Sequence, residues 1–273
     1  MRIGIIGCGW LGLPLGRALV ARGHEVVGTT TTPDKLVKLA AAGIEGYLLD
    51  LNTAIPDDTR AALSGCQRLF VNIPPGRGYA DIVTRYPDWM WRLSRLNNAR
   101  MDRWLLAGTT GVYGAVKGKV TEETPAQPVR ASGKAVRAAE RVLSEELGEK
   151  LVVARLAGLV GGRREAGRFL AGKQEVPNGD APVNLVHRAD VIALVIRLLE
   201  AETLAHDCYH ICADAHPEKK VLYPERARRL GLQAPTFLNG GEAEKWIDNA
   251  RIKAAFDYAF RYPNPLEFPY EGT

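Results

Sequence analysis

The feature that most constrains this chain is the spacing of three glycines behind its first apolar run. Residues 1–6 (Met1-Arg2-Ile3-Gly4-Ile5-Ile6) read as a short buried strand, and Gly7-Cys8-Gly9-Trp10-Leu11-Gly12 follows at once. Residues 13–20 then carry the apolar periodicity of a helix. A glycine triplet by itself is weak evidence. Between a buried strand and a helix it has a mechanism: Gly7 permits a tight turn, Gly9 lets backbone approach a pyrophosphate, and Gly12 lets the helix pack closely on its strand. The helix start adds unsatisfied N–H donors and a positive dipole end. Gly7, Gly9, Trp10, Leu11 and Gly12 are therefore candidate contacts to a dinucleotide.

Further strands and helices alternate behind this motif, which argues for a parallel sheet. Strands are expected at 25–29, 46–50, 68–71, 103–107 and 151–156, with helices at 33–42, 80–97 and 132–147. The expected fold class is α/β: a Rossmann-type, doubly wound parallel sheet with a small C-terminal substrate lobe. Residues 1–160 would form the dinucleotide-binding core. Residues 161–273 would return a helix (189–200) and a strand (208–211) to the sheet, add a helix at 223–230, and build the lobe as part of one structural unit, since their pieces are too short for a separate core.

The end of the second strand bears on which dinucleotide is bound. An NAD site usually places an acid there, about twenty residues after the glycines, on the ribose 2′-hydroxyl. This chain has Thr29, Thr30, Thr31 and Thr32, then Pro33-Asp34-Lys35. Hydroxyls of Thr29, Thr30 and Thr31 together with Lys35 suit a 2′-phosphate, so NADP is expected, with NAD the alternative. Asp50, closing the third strand, and Pro74, after the fourth, are the remaining candidate cofactor contacts.

Composition excludes several classes. The chain has 273 residues, a formal charge of +5, and 46% hydrophobic and 25% charged residues, ordinary values for a globular protein. Lys and Arg form no block, and no basic stripe or aromatic platform suggests nucleic acid. No stretch is apolar and long enough to span a membrane. The four cysteines have neither metal-ligand nor disulfide-scaffold spacing, the histidines form no metal set, and a reducing cytoplasm is expected.

From the fifth strand on, Leu106-Ala107-Gly108-Thr109-Thr110-Gly111-Val112-Tyr113-Gly114 resembles the Ser-Ser-Thr-x-Val-Tyr-Gly segment of extended short-chain dehydrogenases/reductases, the NAD(P)-dependent epimerase/dehydratase group. Residues 120–125, 155–161, 183–191 and 249–252 continue the resemblance, which is nearest to the atypical YeeZ-type subgroup. In the wider group a Ser or Thr positions the substrate oxygen, a Tyr transfers the proton, and a Lys four residues later lowers that Tyr's pKa. A free phenol near pKa of about 10 is too basic without a neighbouring cation. Thr109 matches the Ser/Thr position. Counting back from Glu140, Ser132 stands at the Tyr position and Val136 at the Lys position, so the usual pair is absent. Lys134 is nearby but off register.

Tyr113 is the candidate substitute acid or base beside Thr109, and His187 is read as a structural residue at a helix start. Thr110, Arg163 and Arg168 are candidate substrate contacts, the arginines favouring a carboxylate or phosphate. The function expected from the resemblance is an NAD(P)-dependent oxidoreductase or epimerase on a small, anionic, sugar- or carboxylate-type substrate. The alternative is a non-catalytic NADP(H)-binding sensor, because one fold hosts both. The expected assembly is a monomer or homodimer.

Overall fold

The computed structural model describes residues 1–76 and 78–269. Along the chain run β1 (Arg2–Ile6), α1 (Gly12–Ala21), β2 (Glu25–Thr30), α2 (Lys35–Ala40), β3 (Glu45–Leu48), α3 (Asp57–Ser64), β4 (Arg68–Val71), α4 (Ile82–Ser94) and β5 (Arg103–Thr109). There follow β6 (Lys119–Val120), α5 (Ala131–Leu147), β7 (Leu151–Leu156), β8 (Gly158–Val160), β9 (Leu185–His187), α6 (Arg188–Glu200), β10 (Cys208–Ile211), α7 (Lys219–Arg229), β11 (Trp246–Ile247) and α8 (Ala250–Phe256).

Seven strands form one parallel sheet in the order β10-β7-β5-β4-β1-β2-β3. The Rossmann-type α/β class is therefore present. The order reverses direction at β1, which pairs with β2 on one side and β4 on the other. Such a switch point opens a crevice outside the carboxyl ends of the strands, where ligands bind in doubly wound folds. The cradle glycines lie directly after β1, at that place. The apolar runs of β1, β4 and β5 reflect burial on both faces: Ile3, Ile5, Ile6, Leu69, Phe70, Trp104 and Leu105 are fully buried.

The chain forms two compact units. The first comprises Met1–Val112, Pro128–Ala154 and Leu194–Cys208; the second comprises Tyr113–Gln127, Arg155–Ala193 and the chain from Tyr209 on. The division expected at residue 160 is thus not a single cut. The chain passes into the second unit after β5 and within β7 and β10, because a parallel sheet accepts additions at its strands' carboxyl ends.

Within the first unit α4 and α5 pack on one another. Tyr86 and Trp89 fill core, whereas Trp91 stays 45% exposed under the Arg95 guanidinium. On α5, Ala135, Val136, Ala139 and Leu143 are buried and Lys134, Arg141 and Glu145 lie outward. Two buried strand-start arginines hold the end of α6: Arg103 donates to the Leu198 and Ala201 carbonyls at 2.9 and 2.5 Å, and Arg68 to those of Leu199 and Ala201. They satisfy the last carbonyls of the helix and complement its negative end.

The second unit has its own core of Val160, Ala166, Val183, Leu185, Ala213, Leu222 and Phe268, with Tyr223, Tyr262 and Leu266 against it. A buried Arg226–Glu165 pair at 3.2 Å ties α7 to the loop after β8, and Asp190 at the start of α6 accepts from Tyr258 Oη at 2.7 Å and from the backbone of Arg261 and Tyr262. His187 is buried and packs on Tyr262 and Phe268. No helix among the described residues is long and apolar enough to cross a membrane.

Candidate functional site

The cradle is built from backbone. Gly7 has φ +105°, a region that L side chains avoid, and a Cβ there would stand 2.7 Å from the Asn72 carbonyl oxygen. A Cβ on Gly12 would stand 2.3 Å from the Gly7 carbonyl oxygen, so α1 begins pressed against the turn. Gly9 differs: a Cβ there meets nothing within 4 Å. Its open side is where a pyrophosphate would approach. Asn72, following β4, latches the turn from the neighbouring strand. Its N–H donates to the Ile6 carbonyl at 2.9 Å and its Nδ2 to the Gly7 carbonyl at 3.2 Å.

The end of β2 closes the other side. Thr29 Oγ1 accepts the Gly7 N–H at 3.1 Å, and the Cys8 N–H donates to the Thr29 carbonyl at 2.7 Å. Thr30 Oγ1 accepts the Thr32 N–H at 3.2 Å. Thr29 and Thr30 are both buried, so these two oxygens shape the turn, while Thr31 is exposed. Beside the cradle lies a cavity of about 240 Å³ lined by Cys8, Gly9, Trp10, Leu13, Lys35, Lys38 and Leu39. Of these, Gly9, Trp10 and Lys35 are legible from sequence. Lys38 and Leu39 could have been found from the helical period, since they follow Lys35 on the same face at i+3 and i+4. Burial pushes the Cys8 thiol up to about 12, so it stays protonated and inert.

Leu11 is buried at the start of α1, and Pro74 is exposed in the loop after β4. Asp50 is exposed, and its Oδ1 accepts from the Asn52 backbone at 2.9 Å and from Asn52 Nδ2 at 2.8 Å. In the first unit the structure thus brings Gly9, Trp10 and Lys35 to one cavity beside the turn of Gly7 and Gly12, while it shows no contact of Asp50 or Pro74 with that cavity; the glycine turn and its open side fit a dinucleotide.

Thr109 ends β5 in the same unit, and its Oγ1 accepts the Gly111 N–H at 3.1 Å. Thr110 beside it is buried. The start of α5 lies against this turn, Gly133 facing the Gly111 carbonyl. Ser132 is exposed, but Val136 is buried among apolar neighbours on the helix's inner face.

Tyr113 belongs to the second unit and is fully buried. Arg155 donates to its Oη at 2.7 Å, and His210 Nε2 lies 2.5 Å away. His210 Nδ1 is 2.9 Å from the Asp248 carbonyl, which can only accept. The proton therefore sits on Nδ1, and Nε2 accepts from the Tyr113 hydroxyl. Glu122 accepts the His210 backbone N–H at 2.8 Å and faces Arg251. Burial depresses the His210 pKa, against the opposing pull of Glu122. The phenol is thus held on two sides inside the unit. No local signal announced this network, because its members come from five separated stretches of chain. Arg163 and Arg168 are exposed on the loop after β8. Neither has a carboxylate partner among the described residues.

Known proteins resemble this chain in sequence and in fold. Residues 2–121 match the family model of the NAD binding domain of 6-phosphogluconate dehydrogenase. The chain is 39% identical to Protein YeeZ of Escherichia coli K12 over 280 residues, covering 99% of both, and equally similar to its counterpart in strain O157:H7. Among solved structures, a Silicibacter pomeroyi protein of unknown function superimposes with TM-score 0.77 at 23% identity, over 97% of this chain and 95% of that one. UDP-glucuronic acid 4-epimerase from Bacillus cereus, in complex with NAD, gives TM-score 0.79 at 18% identity over 95% and 93%. A Methylobacillus flagellatus protein assigned by name alone to the NAD-dependent epimerases/dehydratases gives 0.74 at 26% over 96% and 94%. With its glycine cradle at the switch point and 39% identity to Protein YeeZ over nearly the full length of both chains, the chain belongs to the YeeZ family, and its fold is that of the NAD-dependent epimerase/dehydratase branch of short-chain dehydrogenases/reductases.

Proposed function

We propose that this protein is an atypical NAD(P)-dependent oxidoreductase or epimerase acting on a small anionic substrate, of sugar or carboxylate type. The observation that carries the reading is the open side of Gly9 in the same unit as Thr109, the first after the carboxyl end of β1 and the second at that of β5, with β4 between them in one parallel sheet. When bound there, the nicotinamide supplies or accepts a hydride. The chain's own part is to hold and orient. The cradle's backbone holds the pyrophosphate. Thr109, whose oxygen already accepts the Gly111 N–H, keeps its hydroxyl proton to donate to a substrate oxygen. Arg163 and Arg168 offer charge to a substrate carboxylate or phosphate. The proton donor is not the usual Tyr with its Lys, because Ser132 and Val136 stand in those places. Of the two dinucleotides, NADP suits the acid-free end of β2 better. A cytoplasmic monomer or homodimer is the setting we assign.

One observation favours a second reading, a dinucleotide sensor without turnover: Tyr113, the nearest phenol in sequence to Thr109, is fully buried with its hydroxyl engaged by Arg155 and His210. A panel of nucleotide sugars and small hydroxy and keto acids, followed by NADPH absorbance and by NMR of the recovered substrate, separates the two. Sustained oxidation or substrate isomerisation supports the enzyme. A ligand-induced rise in Tm with neither reaction across the panel supports the sensor. No rise in Tm with any dinucleotide sinks both, because a ligand that binds the folded state must stabilise it.

A further inference from the structure

We infer that Lys35 and Lys38 form a phosphate clamp on the cavity beside the cradle, and that it selects the dinucleotide carrying a ribose 2′-phosphate. The inference rests on the dinucleotide reading of the cradle and adds the residues that choose between its two forms. Both lysines line the same cavity, three residues apart on α2 and therefore on one helical face. Neither has an ion-pair partner among the described residues, so both ammonium groups are available. Among the described residues no carboxylate lines the cavity. Asp34 is exposed next to the start of α2, and Asp50 binds Asn52.

Selection by a 2′-hydroxyl usually uses an acidic side chain at this place, and the cavity has none among the described residues. It offers two point charges instead, on long stems over a floor of Leu13 and Leu39. The buried threonine oxygens of β2 accept the N–H groups of Gly7 and Thr32, and what is left to them is a hydroxyl proton and no charge. The charge that meets the phosphate therefore comes from α2, one turn beyond the strand end.

The test is calorimetric titration of the full chain with NADPH and NADH, for the wild type, Lys38→Ala, Lys38→Arg and the Lys35→Ala/Lys38→Ala double variant. We expect NADPH to bind the wild type at least about tenfold more tightly than NADH, a difference that shrinks as salt rises. The double variant should lose most of that preference while its NADH affinity changes by less than about twofold. Lys38→Arg should keep it. Both side chains are exposed, so the variants should melt like the wild type without ligand, which a thermal scan verifies. Equal wild-type affinities, or a preference that survives in the double variant, overturn the clamp and leave the dinucleotide reading standing. Binding of neither dinucleotide overturns both.

Discussion

At the scale of residues, the sharpest change concerns Tyr113. By sequence it is the natural stand-in for a missing catalytic phenol, four residues after Thr109. In the structure its hydroxyl donates to His210 and accepts from Arg155, all three side chains being buried. Tyr113→Phe leaves both partners short of a hydrogen bond inside the protein. It should lower the unfolding free energy by about 1–3 kcal/mol in urea denaturation. A variant as stable as the wild type would show that the hydroxyl is not engaged. His210 adds a pH dependence of definite sign. Burial lowers its folded-state pKa below the ordinary 6.5, so the unfolded chain takes up a proton first as the pH falls. Stability is then full above about pH 6.5 and declines below it toward the folded-state value. His216, also lowered by burial, acts in the same direction. Replacing His210 with Gln should flatten the decline measured by denaturation between neutral and mildly acidic pH.

At the scale of elements, the cradle separates folding from binding. A methyl at position 9 meets no protein atom, so Gly9→Ala should melt at the wild-type temperature but lose most of its stabilisation by NADPH. Gly12→Ala drives a Cβ toward the Gly7 carbonyl and should lower both. Equal melting temperatures for the two variants would contradict this packing. The cradle, α1 and β2 were legible because their signals are local: glycine spacing, apolar runs and helical period. α3 was passed over although Pro56, Asp57 and Asp58 mark its start, and α8 likewise, each being only two turns long. The two- and three-residue strands β6, β8, β9 and β11 carry no pattern of their own. β8 exists because β9, far along the chain, pairs with it from Gly158↔Leu185 to Val160↔His187, and β6 because β11 does the same. In α7, Pro224 stands inside the helix, which starts four residues earlier than its apolar pattern suggests.

At the scale of the whole molecule, the cradle and its cavity lie wholly in the first unit, so a dinucleotide should stabilise that unit directly. Hydrogen exchange with NADPH should show slowed amides across β1, α1 and β2, where binding opposes local opening. Unchanged exchange there, with binding verified separately, would place the ligand elsewhere. The sequence by itself determined the parallel α/β class, the position of the cradle and the absence of an acid at the end of β2. All three are written in residues close together in the chain, where backbone freedom and side-chain period act locally. The tertiary structure decided how the chain divides, which threonine oxygens are occupied, which lysines share a cavity, and that Tyr113 is held between Arg155 and His210. Those depend on groups tens of residues apart brought within hydrogen-bond distance, and only the packed sheet and the second unit's core fix such distances.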